Sequence, residues 1–409
     1  MALTAGPGLD EIDLTDASVW EHGPPHEWLD RLRAEDPVHW HEESDGPGFW
    51  ALTRHDDVRQ VSITPGDFSS YVGGPIRIAP SDGGLDQVRM MIIGMDPPEH
   101  RMFRSTVARA FTPKMIGRMN DALRAETKSV VEGLRDGNSV DFVTAVAARI
   151  PMWSISELMG VPEIDRHRLY ELSHALIDDQ DPEVAPSPET SMQSATEIYE
   201  YASAMAARER AHPTDSLTST LLTAEVDGRG LTDLEYTLFF TFLIVAGNET
   251  TRTASSHGLL ALLEHRDELQ RLVADPTLIP GAVEEILRWE PPIHHFRRTA
   301  TADVMLGGQQ IAKGDKVIMW YPGSNRDPAV FEDPHTFRID RSPNPHQSFG
   351  FGEHYCLGAN LARLSLRLLF EELFVTVDNI ELESPPRRLH SNFINGIKEM
   401  RITYGARTP

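Results

Sequence analysis

From Leu231 to Asp275 the chain contains no proline, and Thr232-Asp233-Leu234-Glu235 near its start has the form of a capping box. In that motif the two end residues satisfy each other's open backbone donors, so it marks where a helix begins. A helix from Thr232 to about Glu264 would be about 50 Å long at 1.5 Å per residue, enough to cross a whole domain. The rest of the chain must then pack around it. Much of the remainder has apolar residues at three- and four-residue spacing, the period of further helices. Asp96-Pro97-Pro98-Glu99 starts one that runs over Arg101–Ala110 and stops at Phe111-Thr112-Pro113. Another is predicted from Met115 to Leu134, ended by Asp136-Gly137-Asn138. Strand patterns are concentrated in Val304–Trp320, with Gly307-Gly308 and Lys313-Gly314 as turns, and again in Phe393–Tyr404. The expected class is mainly α, one large helical domain over residues 1–409 with a minor β-rich portion on the C-terminal side. Residues 1–20 read as an extended N-terminal segment, and Asp178–Thr190, rich in Asp, Pro and Glu, as a mobile surface loop.

Lys and Arg number 38 and Asp and Glu 62, a formal charge of −24. Nucleic-acid binding needs a basic face, so no nucleic-acid partner is expected. Met1–Trp20 has no basic stretch followed by an apolar one, so no signal peptide or anchor is indicated. The longest apolar run, Leu238–Gly247, is broken by Thr241 and is far short of the roughly 20 residues of a bilayer span. A cytoplasmic protein with no membrane partner is the expectation.

The single cysteine, Cys356, excludes an intramolecular disulfide and multi-cysteine zinc or iron–sulfur sites. It lies in Phe349-Gly350-Phe351-Gly352-Glu353-His354-Tyr355-Cys356-Leu357-Gly358, followed by Ala359-Asn360-Leu361-Ala362-Arg363, which reads as a helix opening. Glycines at 350, 352 and 358 allow unusual backbone conformations and the close approach of a large flat ligand. A thiolate at a helix N-terminus is stabilised by unpaired N–H groups and the helix dipole. A lone cysteine in a glycine-rich turn is ordinarily a buried structural residue. Here, however, Phe-Gly-x-Gly-x-His-x-Cys-x-Gly resembles the heme-binding signature of the cytochrome P450 family, with every position filled.

That resemblance implies a P450-type fold in which the long helix lies over heme b, iron protoporphyrin IX, with Cys356 as the proximal ligand to the metal. Phe349, Gly350, Gly358 and, from the long helix, Ala246 would lie against the cofactor. Thiolate ligation pushes electron density to the iron and favours O–O cleavage. Other family elements follow in the same chain order, from about Asp96 to Met400. Glu285-Ile286-Leu287-Arg288 matches the family's Glu-x-x-Arg, whose i, i+3 spacing lets the charges pair. Arg341 would complete this structural ion-pair network and hold the cysteine loop. Ala246-Gly247-Asn248-Glu249-Thr250-Thr251 is similar to the oxygen-activation stretch. Gly247 and the threonine pair make that stretch locally weak, and a helix distortion there would open an oxygen-sized pocket. Thr250 is expected to hydrogen-bond the oxygen being activated and Glu249 to relay protons toward it.

The resemblance also implies partners for two heme propionates: His100 and Arg104, four apart on one helix face, with His354 from the cysteine loop and Arg298. Arg297 is a competing choice for the last. Between His100 and Arg118 stand Arg101, Arg104, Arg109, Lys114 and Arg118 with no acidic residue, and Arg363 and Arg367 precede the first acid after Cys356. In the family these segments flank the face where an acidic ferredoxin-type electron donor docks, and opposite charge would speed encounter. No flavin- or nicotinamide-binding glycine motif is present, so electrons would come from separate proteins.

Substrate contacts are expected from Ile93 in the Tyr71–Ile93 loop, Leu243, Ala246 and Gly247, the Ile293–Phe296 turn, and Phe393. Most are apolar, as is the small-molecule substrate they imply alongside O2. Ile93–His100, Ala246–Arg252 and Ser391–Ile394 look like members that hydroxylate sterol side chains, methyl-branched lipids or terpenoids. The alternatives are a non-catalytic heme-thiolate binding or sensing protein, and a peroxide-driven peroxygenase. Members that work by peroxide typically lack the acid–threonine pair kept here.

Overall fold

The computed structural model describes residues 8–407 except Asp45, 79–81, Asp136, 178–179 and 227–228, and of residues 82–83, 109–110, 177, 188 and 225–226 it describes the backbone alone. The long helix spans Asp233–Glu264 without interruption. Thr232 Oγ1 accepts the Glu235 N–H at 3.2 Å and Glu235 Oε2 accepts the Thr232 N–H at 2.8 Å, so the capping box is formed in both directions. From Thr251 to Leu263 every residue of this helix is buried. An element buried on all sides is an interior strut rather than an amphipathic surface helix.

Against it pack the helix Arg149–Met159, the acid–arginine helix Ile279–Trp289 and the cysteine helix Ala359–Thr376. Leu259, Leu262, Ile286, Leu368 and Leu369 meet in one core with no solvent exposure. Burying each contributes about 1.5–3 kcal/mol. Phe349 of the cysteine loop belongs to this core and Cys356 packs against it, which ties the loop to the long helix.

The strands depart from the expected C-terminal placement. A five-stranded sheet runs in the order Val38–His41, Phe49–Leu52, Lys316–Trp320, His295–Ala300, Phe68–Ser69. Phe49–Leu52 lies parallel to Lys316–Trp320, with Trp50 opposite Val317. Strands of four residues are too short to stand out in the sequence; Val38–His41 pairs antiparallel with Phe49–Leu52, whose other partner lies some 270 residues away. The expected Val304–Trp320 strands form, as a Val304–Leu306/Gln309–Ile311 hairpin and the central Lys316–Trp320 strand. Arg401–Ala406 pairs with Val377–Leu382 and, on its other side, with Ser139–Asp141.

Several boundaries shift. The helix after Pro98 is Glu99–Val107, continued as a 3-10 turn Ala108–Phe111. Met115–Leu134 is two helices, Pro113–Arg118 and Asn120–Glu132, because the chain turns at Met119. The Tyr71–Ile93 segment contains a helix, Asp82–Met90. The N-terminal segment is not extended throughout: Asp16 caps a short helix Ala17–Trp20, and Trp20 is buried against Trp320.

Asp178 and Asp179 lie outside the described residues, but Gln180 and Asp181 beside them are tied down rather than mobile. Asp181 is buried and accepts the His390 N–H at 3.0 Å and Lys398 Nζ at 2.8 Å. Gln180 Oε1 accepts from Ser391 Oγ and the Asn392 N–H at 3.1 and 3.2 Å. Acidic composition here serves specific pairing, not solvation. Thr190, at the far end, belongs to the helix Pro188–Ala211. Among the described residues no helix is long and apolar enough to cross a membrane.

Candidate active site

Cys356 sits three residues before the cysteine helix, with its N–H bonded to the Phe349 carbonyl at 2.8 Å, which closes the loop on itself. Burial pushes the thiol's pKa up, while the N–H groups of Gly358 and Ala359 and the charges of Arg104 and Arg363 pull it down. Burial wins. The sulfur is thus aimed at donors that favour a thiolate, yet it lacks a full counter-charge, which a metal cation would supply.

Gly350 and Gly352 have φ of +69° and +67°, the left-handed region where a side chain is strained, and a Cβ on Gly352 would lie 2.5 Å from the Ser62 carbonyl oxygen. Gly358 is different. Its φ is −84°, and a Cβ there would meet nothing within 4 Å. Its value is the open space beside it, not its backbone freedom. Phe349 is buried, and the Arg363 guanidinium lies 4.5 Å from its ring centre.

The loop is held from below by the predicted ion-pair network. Glu285 takes Arg288 in a two-pronged pair, both contacts 2.8 Å, and Arg341 Nε at 3.1–3.2 Å, with all three buried. Arg288 also donates to the Asn325 carbonyl at 3.0 Å. Asn325 in turn holds Ser348 Oγ and the Gln347 N–H, both at 2.8 Å. The network therefore reaches the residue before Phe349. Asn325 and Ser348 carry no sequence signal that distinguishes them from surface polar residues.

Three segments, the helix Glu99–Val107, the strand His295–Ala300 and the cysteine loop, bring four cationic or imidazole groups to one largely buried edge. The His100 and His354 rings are 4.3 Å apart, and Arg298 and Arg104 act on both electrostatically. Burial, aided by Arg104, pushes His100 down to about 4, and burial with Arg298 drives His354 well below the usual imidazole range. Burial also lowers both Arg104 and Arg298. Arg104 Nη2 donates to the Tyr355 carbonyl at 2.5 Å and Arg298 Nη1 to the Arg297 carbonyl at 2.7 Å. Two carboxylates act on this edge and both are engaged: Glu353 is paired with Arg101, and Asp96 is bound to Ser69 Oγ and, at 2.8 Å, to the Ser70 N–H. His100 Nδ1 is buried with no partner. With both of these carboxylates engaged and a ring nitrogen left orphaned, the edge can take the carboxylates of a ligand. Arg297 points to the opposite face of the strand, toward Glu43.

On the long helix, Glu249 is 1% exposed. It is paired with Arg252, and His174 Nδ1 of the helix Glu163–Ile177 lies 3.6 Å from its Oε2. Burial alone would push the Glu249 carboxyl up, but Arg252 and His174 outweigh it and hold the group below the usual carboxylate range. Thr250 Oγ1 donates to the Ala246 carbonyl at 2.8 Å. The expected helix distortion is absent, because the ladder continues through this stretch. Gly247 has a packing role: a Cβ there would come 3.2 Å from Ile155 Cγ1, so its open side faces a neighbouring helix rather than the expected substrate space. Arg252, three residues after Glu249, had a readable spacing signal, whereas His174, 75 positions upstream, had none.

Phe296 and Phe393 pack at 5.8 Å, and an isolated bridge joins Ile293 to Ile394, so two predicted substrate segments form one wall. Ile93, Ala246, Ile293, Phe296 and Phe393 all keep partial exposure, and Leu243 is buried.

The family model for cytochrome P450 matches residues 189–402, just over half the chain. The chain belongs to the cytochrome P450 family. Steroid C26-monooxygenase of Mycolicibacterium smegmatis is 38% identical over 96% of this P450 and 94% of its own length. Methyl-branched lipid omega-hydroxylase of Mycobacterium bovis is 41% identical over 91% of this chain and 89% of its own. A Mycobacterium marinum cytochrome P450 solved in complex with pseudoionone superposes with a TM-score of 0.90 at 38% identity, covering 98% of this chain and all of that one. This P450 is accordingly a monooxygenase of the heme-thiolate type, with the mainly α fold of that family.

The basic residues of the cysteine face are unequally available. Lys114 and Arg118 are exposed. Arg101 is exposed but paired with Glu353. Arg363 is drawn inward by Glu284, at 2.7 and 2.8 Å, and Arg367 lies 3.4 Å from Glu371. The Arg109 side chain lies outside the described residues.

Proposed function

We propose that this P450 binds heme b through Cys356 and hydroxylates C–H bonds of apolar steroid, terpenoid or branched-lipid-like molecules. The overall reaction takes O2, two electrons and two protons, places one oxygen atom in the substrate and releases the other as water. The observation that carries the proposal is the pairing of the two ends of one site. At one end is a half-buried sulfur met by helix N-terminal donors, and at the other a largely buried edge with two arginines, two histidines and an orphaned His100 Nδ1.

Cys356 would ligate the iron, and His100, Arg104, Arg298 and His354 would hold the propionates. When bound, a thiolate-ligated heme supplies the activation of dioxygen. Everything else falls to this chain's own groups. Glu249 is held ionised by Arg252 and can accept a proton; passing one inward requires it to let go of Arg252. Thr250 spends its proton on the Ala246 carbonyl, so its oxygen is left as an acceptor and becomes a donor when the hydroxyl rotates. Phe296, Phe393 and Ile293 would exclude water and hold an apolar body.

Electrons are assigned to a ferredoxin and its reductase, with Arg101, Arg109, Lys114, Arg118, Arg363 and Arg367 as the docking face in a cytoplasmic setting. Lys114 and Arg118 should dominate encounter, because Arg363 and Arg367 have carboxylate partners of their own. The names of the steroid and branched-lipid relatives support the substrate class. The test is the reduced CO complex of the purified protein. It should show the strongly red-shifted thiolate band, lost in Cys356→His, and steroids, terpenoids and branched fatty acids should shift the visible spectrum of the heme-loaded protein. A Cys356→His protein that keeps the band ends the ligand assignment. Heme binding without turnover by a surrogate ferredoxin system would leave a sensing role instead.

A further inference from the structure

On the reverse face of the strand His295–Ala300 lies a second buried cationic cluster, distinct from the propionate edge. Glu43 accepts from Arg77 Nη1 at 2.9 Å and also from Lys316 Nζ. Arg297 has no carboxylate of its own: Nη1 donates to the Arg77 carbonyl at 3.3 Å and Nη2 to Thr299 Oγ1 at 3.2 Å. Its backbone N–H binds the Pro75 carbonyl at 2.7 Å, and a Cβ on Gly73 would fall 2.1 Å from Nη2, so the segment 73–77 is fitted around the guanidinium.

Among the described residues the cluster sets three cations against one carboxylate, a surplus of two charges. The Arg77 and Lys316 side chains are 14% and 11% exposed, and Arg297 is 6% exposed. Nε of Arg77 and Nε of Arg297 are both buried without a partner. Burial pushes Arg297 down to about 10, the sign of a cation held where its charge is penalised. Leaving such donors unmatched is costly, and an anion would complete them.

The cluster adjoins the expected substrate wall. Arg77 acts electrostatically on buried His295, whose ring meets Phe393 edge-on at 5.4 Å. We infer that Arg77 and Arg297 receive a carboxylate, the acidic end of an amphipathic substrate whose apolar body runs past His295 along Phe393. The placement of the body rests on the heme-thiolate reading above; the anion site itself does not.

Isothermal titration of the heme-loaded enzyme with dodecanoate, dodecanol and acetate tests this. Dodecanoate should bind about tenfold more tightly than dodecanol, as charge-assisted hydrogen bonds would give. That preference should collapse to within about twofold in Arg77→Gln or Arg297→Gln and grow in Glu43→Gln, which removes the carboxylate that competes for Arg77 and keeps both arginines. Equal binding of acid and alcohol by the unaltered enzyme, or an equal loss of both in the arginine variants, overturns the inference. So does acetate binding as tightly as dodecanoate, which would mark a plain anion site. The CO band of the same samples decides the heme reading separately.

Discussion

Glu249 and Arg252 form a buried ion pair within the long helix, 1% and 2% exposed, directly at the stretch proposed to manage protons. Coupling of this kind makes the acid a proton carrier only when the pair opens. Glu249→Gln should lower the rate of product formation by about 10²–10³-fold, within the range of a lost general acid–base group, while leaving the CO band unchanged. Product analysis against NADH consumption checks it. The same substitution leaves Arg252 buried without its counter-charge, so stability also falls. The sign with pH follows from the lowered carboxyl: the pair's contribution is fully present above the ordinary value of 4.5 and is lost as pH falls through the lower folded value. The melting-temperature gap between wild type and variant should be constant from pH 8 to about 5 and shrink below that.

Arg298 and Arg297 are neighbours on one strand with opposite outlooks. Arg298→Gln should speed heme loss to apomyoglobin by about 30-fold, the effect of a charge-assisted hydrogen bond worth about 2 kcal/mol. Arg297→Gln should change heme loss by less than about threefold, because its side chain faces Glu43 and the segment 73–77. Equal effects of the two would mean that both reach the propionates.

What could be read from the chain beforehand was whatever local chemistry determines. The Thr232/Glu235 cap, the unbroken helix to Glu264 and the Glu285–Arg288 pairing are short-range consequences of residue spacing, and all three are present. The alternation of Arg297 and Arg298 about a strand is also local, yet which of them faced the propionate edge depended on where Glu99–Val107 and the cysteine loop lie in space. The Phe49–Leu52 strand, the His174 contact with Glu249 and the Asp181 clasp on His390 and Lys398 were beyond reach for the same reason. Each joins segments far apart in the chain, and no spacing rule links their partners. The helix distortion at Gly247 was expected from propensity alone; packing against Ile155 gives the glycine a different use.

Glu285 is wholly buried between Arg288 and Arg341 and also accepts the Arg338 N–H at 2.9 Å and Asn344 Nδ2 at 3.1 Å. Removing its charge strands two buried guanidiniums. Glu285→Gln should destabilise the protein by about 3–5 kcal/mol in denaturant titration and yield protein with little heme, since Arg288 ties this network through Asn325 to the cysteine loop. A variant that unfolds like the wild type would show that the backbone carbonyls around Arg288 and Arg341 suffice to hold them.

His257 lies on the long helix seven residues past Thr250, with no exposed surface and Nε2 against the Asn395 carbonyl at 2.6 Å. Glu290 Oε2 is 3.9 Å from its Nδ1, too far to bond directly. Burial, with Arg388, pushes the ring down to about 4, so it is neutral in the folded protein at neutral pH. In the unfolded chain it would bind a proton near 6.5, and the unfolded state therefore takes up the extra proton as pH falls. Its penalty is absent above about 6.5 and accumulates down to about 4, at up to roughly 1.4 kcal/mol per pH unit for one such group. His257→Asn, which cannot take up that proton, should be less stable than wild type at pH 8 but should lose stability less steeply between pH 6.5 and 4. Denaturant midpoints measured across that interval decide it: parallel slopes for the two proteins would mean that Glu290 keeps His257 protonated in the fold.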